Sequence, residues 1–319
     1  MIEGKIKGDK VLIGFTRSLE SRGFGKRKEN YIELAPIEAY YLYLRKKISL
    51  IYKNKELCKE EALKYFSKIN PRFLIYYKVY EDLRNRGYAV KPENELLIGR
   101  KVFLPISEHD ELDLIKIARY LDVFGELILS IVDDEFEMTY YEVKKFEENG
   151  GILEKIKESS CVFTGIVGVT NNVELFEELF YGKKENDELV ELSVFETIYL
   201  AEKGKLKLDC NLNDAIKNAK KIIHNFEAKY KIYKDLKDKG FIVKTGLKFG
   251  SDFRVYDTPV SSCETKHSRY LVSLLNSERI KINEITRAVR LAQSVGKTKI
   301  FALVKGDEIL YFQVRRVKP

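Results

Sequence analysis

The chain has 319 residues, 45% hydrophobic and 12% aromatic, enough for packed cores, and its 57 basic against 49 acidic side chains leave a net charge of +8. No run approaches the ~20 apolar residues of a membrane span. Residues 1–11 lack the apolar segment of a secretory leader, and Cys58, Cys161, Cys210 and Cys263 stand too far apart for a zinc ribbon or a disulfide framework, so a cytoplasmic protein with structural thiols is expected.

Taken in chain order, the sequence states its pattern twice. Glu33-Leu34, Ile37-Glu38 and Tyr41-Leu42 return as Glu191-Leu192, Phe195-Glu196 and Tyr199-Leu200. The segment from Tyr77 to Val90 returns as Tyr230 to Val243, and each contains an amphipathic helix, 77–86 and 230–239, ended by a glycine, Gly87 or Gly240, and followed by a short strand. Further on, Ile128–Val132 returns as Ile300–Val304, but the offset has grown from 153 to 172 residues. The first copy therefore lacks 19 residues between Val90 and Ile128. The first-copy strand at 128–132 runs into an acidic turn, Asp133-Asp134-Glu135. The polar, glycine-paired stretch 147–151 is the expected linker, dividing the chain into copies 1–150 and 151–319, the latter with an N-terminal part 151–240 and a basic part 241–319. In the second copy Asn283 is placed to cap a helix whose apolar stripe is Ile285, Ala288, Val289, Ala292 and Val295, closed by Gly296. Strands at 300–304 and 309–314 then flank a turn at 305–308, a hairpin. The expected fold class is mixed α/β, a tandem repeat of a helical/β subdomain followed by a restriction-endonuclease-like α/β subdomain.

Charge is uneven. Residues 241–319 hold 15 basic and 7 acidic side chains, a net +8, so the remaining 240 residues are neutral overall. That is the footprint of a polyanion-binding surface, and Arg287, Arg290 and Lys297 fall along one side of the predicted helix and its end.

Three segments in this quarter carry a resemblance: Lys248-Phe-Gly-Ser-Asp-Phe-Arg-Val-Tyr256, His267-Ser-Arg-Tyr-Leu-Val272, and Arg287 to Lys297. Together with Leu34-Ala-Pro-Ile-Glu38 they resemble the archaeal tRNA-splicing endonucleases, in particular the homodimeric kind with two tandem copies per subunit. The resemblance implies cleavage of precursor tRNA at bulge-helix-bulge RNA, without metal or other cofactor, leaving a 2′,3′-cyclic phosphate and a 5′-OH. It assigns Tyr256 as base toward the ribose 2′-OH, His267 as acid toward the leaving 5′-oxygen, and Lys297, preferred over Lys299, as countercharge to the phosphate. It also implies that Arg290, with Arg315 or Arg316, clamps an unstacked bulge base, and that Asp133, Asp134 and Glu135 dock into a basic cleft of a second subunit. No membrane or DNA partner is implied.

Elementary chemistry agrees with these roles. Attack by an internal 2′-OH needs no external nucleophile, so proton transfer and a countercharge suffice. Histidine suits the acid role near neutrality, whereas tyrosine serves as a base only beside a cation that stabilises its phenolate. The first copy reads as having lost its chemistry: Gly125 aligns with Lys297, and His109 aligns with no site residue. Two other readings stand beside this one, a non-catalytic RNA-binding subunit and a Mg²⁺-dependent restriction-type nuclease using Asp252, Asp257 and Glu264.

Overall fold

The computed structural model of the chain describes residues 1–151, 155–257 and 267–319. Two units divide it: Met1–Lys144 with Arg279–Thr286 and Arg315–Pro319, and Lys145–Glu278 with Arg287–Val314. One order of elements runs through both.

In the first unit, Ile2–Lys7, Lys10–Gly14 and Tyr31–Leu34 form an antiparallel sheet extended by Ile48–Tyr52, which lies parallel to Ile2–Lys7. Alternation explains it: Val11, Ile13, Ile32 and Leu34 are buried while their neighbours are exposed or half-buried. Helices Pro36–Leu44, Lys59–Ile69 and Phe73–Asn85 supply Tyr40, Phe66, Phe73 and Tyr77, whose rings pack edge-to-face and stacked in the core. The second unit repeats the scheme with strands Ser159–Phe163, Val167–Thr170, Val190–Ser193 and Leu206–Leu208 and helices Val194–Glu202, Leu212–Ile222 and Phe226–Asp238. Here Ser193 and Glu196 form a reciprocal capping box. The buried Glu196 carboxylate also receives Lys244 from the following sheet at 2.8 Å.

The second half of each unit is a five-stranded arrangement of one order. In the first it runs Lys91–Glu93, Leu96–Ile98, Val102–Ser107, Glu126–Val132, Met138–Lys145; in the second, Ile242–Thr245, Phe253–Tyr256, Tyr270–Leu275, Thr298–Lys305, Glu308–Val317. In each, the third and fourth strands are parallel, joined through a helix, Leu114–Phe124 or Ile282–Ser294, and the rest are antiparallel. The chain is thus a mixed α/β tandem repeat.

Most local expectations hold. The helices at 77–86 and 230–239 begin earlier, at Phe73 and Phe226, and both are followed by a glycine of positive φ. The hairpin at 300–314 turns on Gly306 and Asp307. Two details differ. Asn283 is not the cap, since the helix already begins at Ile282, a fully buried residue, and the stripe ends at Ala292, leaving Val295 41% exposed. The stretch 147–151 is no slack tether: Phe146 packs against Phe241, Tyr270 and Tyr311, the Tyr270 hydroxyl donates to Glu148, and Gly150 N–H donates to Lys239 O. Of the thiols, Cys161 is buried and pushed up to about 11 by burial, Cys58 and Cys210 are exposed, and Cys263 lies outside the described residues. Among the described residues no helix is long and apolar enough to cross a membrane.

Candidate active site

In the second unit Phe253 and Val255 point into the core, which places Arg254 and Tyr256 on the other face of the same strand. Tyr256 ends that strand. The next strand begins at Tyr270, antiparallel to it, and Thr298 begins a third, parallel to the second, so the end of the first strand and the beginnings of the other two lie at one end of the sheet. Backbone bonds tie the three positions rung by rung: Arg269 N–H donates to Val255 O at 3.0 Å, and Thr298 N–H donates to Arg269 O at 2.9 Å. Tyr256 follows the first of these residues, His267 precedes the second by two, and Lys297 precedes the third by one. Three residues far apart in sequence are thereby gathered at one sheet end.

An ion pair reinforces the junction. Asp257, next to Tyr256, holds Arg269 at 2.5 Å, and Glu148 approaches Arg269 at 3.4 Å. Tyr256 is half-buried and His267 exposed, open to a substrate. Lys297 is only 6% exposed: its ammonium donates to Ser268 O at 2.8 Å and lies 5.3 Å from the Phe249 ring centre. Burial, and then the Arg254 charge, lower its pKa below that of an ordinary lysine.

Lys299, two residues on, is only 2% exposed and donates to Ser251 Oγ at 2.8 Å and Ser273 Oγ at 2.5 Å. Its ammonium is committed to a loop and a neighbouring strand. The loop, 246–252, is tightly wound: a Cβ at Gly246 would lie 2.8 Å from Ser251 O, and Asp252 accepts from Leu274 N–H and from Lys229, each at 2.8 Å. Asp252 and Asp257 are therefore both engaged with cations, and Glu264 lies outside the described residues. In the first unit Glu108, His109 and Asp134 bring three donor atoms within 4.8 Å at the surface, the one grouping of metal-ligating type among the described residues.

Arg287 and Arg290 are exposed on the Ile282–Ser294 helix. Arg315 is held through its guanidinium by the nearly buried Glu142, at 2.6 Å, whereas Arg316 points to the other side of the strand and is exposed. In the first unit the acidic turn shapes itself: Asp133 Oδ1 accepts from Glu135 and Glu137 N–H, and Asp134 bonds His109 at 2.8 Å, which raises the histidine pKa.

The first copy shows what is missing. Its counterpart of the 246–252 loop is Asn94 and Glu95 alone, and the segment 257–269 shrinks to 99–101. Gly125 and Gly296 both leave their helices at positive φ, but one more residue separates Gly296 from its strand: Ile128 and Ile300 face the core in the same way, so strand register sets Lys297 level with Gly125. A glycine, with no side chain, stands level with the ammonium of the second copy.

A sheet end bearing a tyrosine, a histidine and a cation holds the kinds of group that acid–base chemistry uses. Comparison with known proteins gives the family. The tRNA intron endonuclease N-terminal domain matches twice, at residues 2–64 and 158–218, and the tRNA intron endonuclease catalytic C-terminal domain matches at residues 226–311. The chain is 31% identical to the tRNA-splicing endonuclease of Methanosarcina mazei over 100% of its own length and 99% of that protein. It is 32% identical to that of Methanococcoides burtonii, covering 92% of this chain and 93% of the relative. Against the tRNA-splicing endonuclease of Pyrococcus horikoshii it is 36% identical, over 46% of this chain but 86% of the relative, as a single copy would give. The chain belongs to the tRNA-splicing endonuclease family, a family of enzymes.

Proposed function

We propose that this chain cuts precursor tRNA at intron–exon junctions within bulge-helix-bulge RNA, in the cytoplasm, as a homodimer with one active site in each second copy. The observation that carries the reading is the convergence of Tyr256, His267 and Lys297 at one sheet end of the copy that the catalytic-domain family matches. Tyr256 takes the proton of the 2′-OH; the 2′-oxygen forms a bond to phosphorus; the bond from phosphorus to the 5′-oxygen breaks; and His267 delivers a proton to that oxygen. The products are a 2′,3′-cyclic phosphate and a 5′-OH. Lys297 offsets the charge that builds on the phosphate oxygens, and no metal ion is required by this set of groups. Arg287 and Arg290 contact the RNA backbone and the bulge, and Arg315 or Arg316 is the second member of the base clamp. Asp133, Asp134 and Glu135 join the subunits. The reading is supported further by the short loops of the first copy, a scaffold that keeps the fold without the groups.

Incubation of the full chain with an intron-containing precursor tRNA in EDTA is the test. Cleavage with the stated ends, abolished in His267→Ala while RNA binding persists, is the expected result. Cleavage only on addition of Mg²⁺, binding without cleavage, or an unimpaired His267→Ala variant refutes it.

A further inference from the structure

Lys297 has a neighbour for which no role has been assigned. Arg254 lies two residues before Tyr256 on one strand, and the alternation set by the buried Phe253 and Val255 gives Arg254 and Tyr256 the same sheet face. Its Nε is buried without a hydrogen-bond partner among the described residues. An unpaired buried N–H on a charged group is unfavourable, and Arg254 as a whole is only half-buried, so its guanidinium is open to a partner from outside the chain.

The charges around it say what that partner is. Strand register sets Arg254 level with Leu271 and Leu271 level with Lys299, two residues from Lys297 on the same face, and after burial the Arg254 charge lowers the Lys297 pKa. The acids nearest in sequence are taken: Asp252 by Lys229 and Leu274 N–H, Asp257 by Arg269. Neither Arg254 nor Lys297 has an ion-pair partner among the described residues, and Lys297 already gives one N–H to Ser268 O. Like charges at one sheet end repel each other, and an anion between them relieves that repulsion. A guanidinium, with N–H groups diverging in one plane, suits two oxygens of a tetrahedral phosphate better than an ammonium does.

We propose that Arg254 is a second phosphate-binding cation of the active site, reaching a non-bridging oxygen of the scissile phosphate from the sheet side while Lys297 meets the other. The proposal rests on the function given above and adds a residue to it.

Arg254→Gln and Arg254→Lys in the full chain test it, with single-turnover cleavage of the precursor, the dissociation constant of a 2′-deoxy substrate that cannot be cut, and the unfolding midpoint measured side by side. Arg254→Gln is expected to slow cleavage by ~10²-fold or more while binding changes only a few-fold and the midpoint holds, and Arg254→Lys recovers part of the rate. The proposal is overturned if Arg254→Gln cuts within threefold of the unmodified chain. It is equally overturned if the rate falls only in step with affinity or unfolding, or if Arg254→Lys is no faster than Arg254→Gln. An unmodified chain that leaves the RNA uncut overturns the underlying function; an unmodified chain that cuts alongside an unaffected Arg254→Gln overturns this proposal alone.

Discussion

Replacing Lys299 by methionine should make the protein more stable at neutral pH and slower as an enzyme. Burial holds the Lys299 pKa near about 8, against an ordinary 10.5, with only the neighbouring Asp252 opposing the shift. A proton bound that much more weakly in the folded chain than in the unfolded one represents ~3 kcal/mol of lost stability wherever the lysine is charged in both states. The sign follows from proton counts. Below about pH 8 both states hold the proton and the full penalty applies. Between pH 8 and 10.5 the unfolded chain binds more protons, so folded stability rises with pH, and by pH 10 the penalty is under ~1 kcal/mol. Methionine fills a similar volume without the charge, but it leaves Ser251 Oγ and Ser273 Oγ without their donor, a loss of ~0.5–1 kcal/mol each. The expected net gain at pH 7 is ~1–2 kcal/mol, vanishing or reversing by pH 10. Denaturant unfolding of both proteins at the two pH values reads it directly, and parallel pH dependence in the two would refute the argument. Cleavage should slow in the variant, because the same two bonds fasten the 246–252 loop whose Phe249 ring lies against Lys297.

Two further outcomes are expected. If the acidic turn joins the proposed homodimer, Asp134→Lys with Glu135→Lys should lower the mass read by light scattering from that of two subunits to that of one; Asp133 is left in place because its carboxylate shapes the turn, and an unchanged mass would sink the docking role. Gly150→Ala should lower the unfolding free energy by ~1–3 kcal/mol, since its Cβ would lie 2.1 Å from Gly240 O, a backbone atom that cannot turn aside; an unchanged midpoint would show that the segment yields freely.

What the sequence displayed best was what local periodicity dictates. The helices ended by Gly87 and Gly240, the hairpin at Gly306-Asp307 and the repeat itself were all legible, because apolar spacing and turn chemistry act over a few residues. The start of the Ile282 helix was misread because Asn283 is a good cap by type, whereas burial of Ile282 set the first turn. Burial of Lys299 was illegible: a lysine two residues into a strand gives no sign that two serines from distant segments will receive it. Arg254 was legible and missed. Phe-Arg-Val-Tyr alternates apolar with polar, so the pattern that sends Phe253 and Val255 inward also sets Arg254 beside Tyr256. Matching Gly125 to Lys297 follows the strands, since Ile128 and Ile300 face the core in the same way, while the two positive-φ glycines that end the helices stand one residue out of step.

The arrangement of strand ends lets one copy keep its fold without the loops that carry the proposed chemistry of the other. In the second unit the site gathers where Phe253–Tyr256 ends and where Tyr270–Leu275 and Thr298–Lys305 begin; the hairpin turn at Gly306 lies at the opposite end. The first unit has the same topology, so its shortened segments, Asn94-Glu95 and 99–101, lie one strand length away from the acidic turn that follows Glu126–Val132. Strands Leu96–Ile98, Val102–Ser107 and Glu126–Val132 stay paired across the deletion, and Val102, Phe103, Ile128 and Leu129 stay buried. The shorter segments of the first copy therefore cost its sheet none of these buried contacts, and the turn proposed for docking lies at the other end. Scaffold and chemistry separate here because strands carry the first and the loops at one sheet end carry the second.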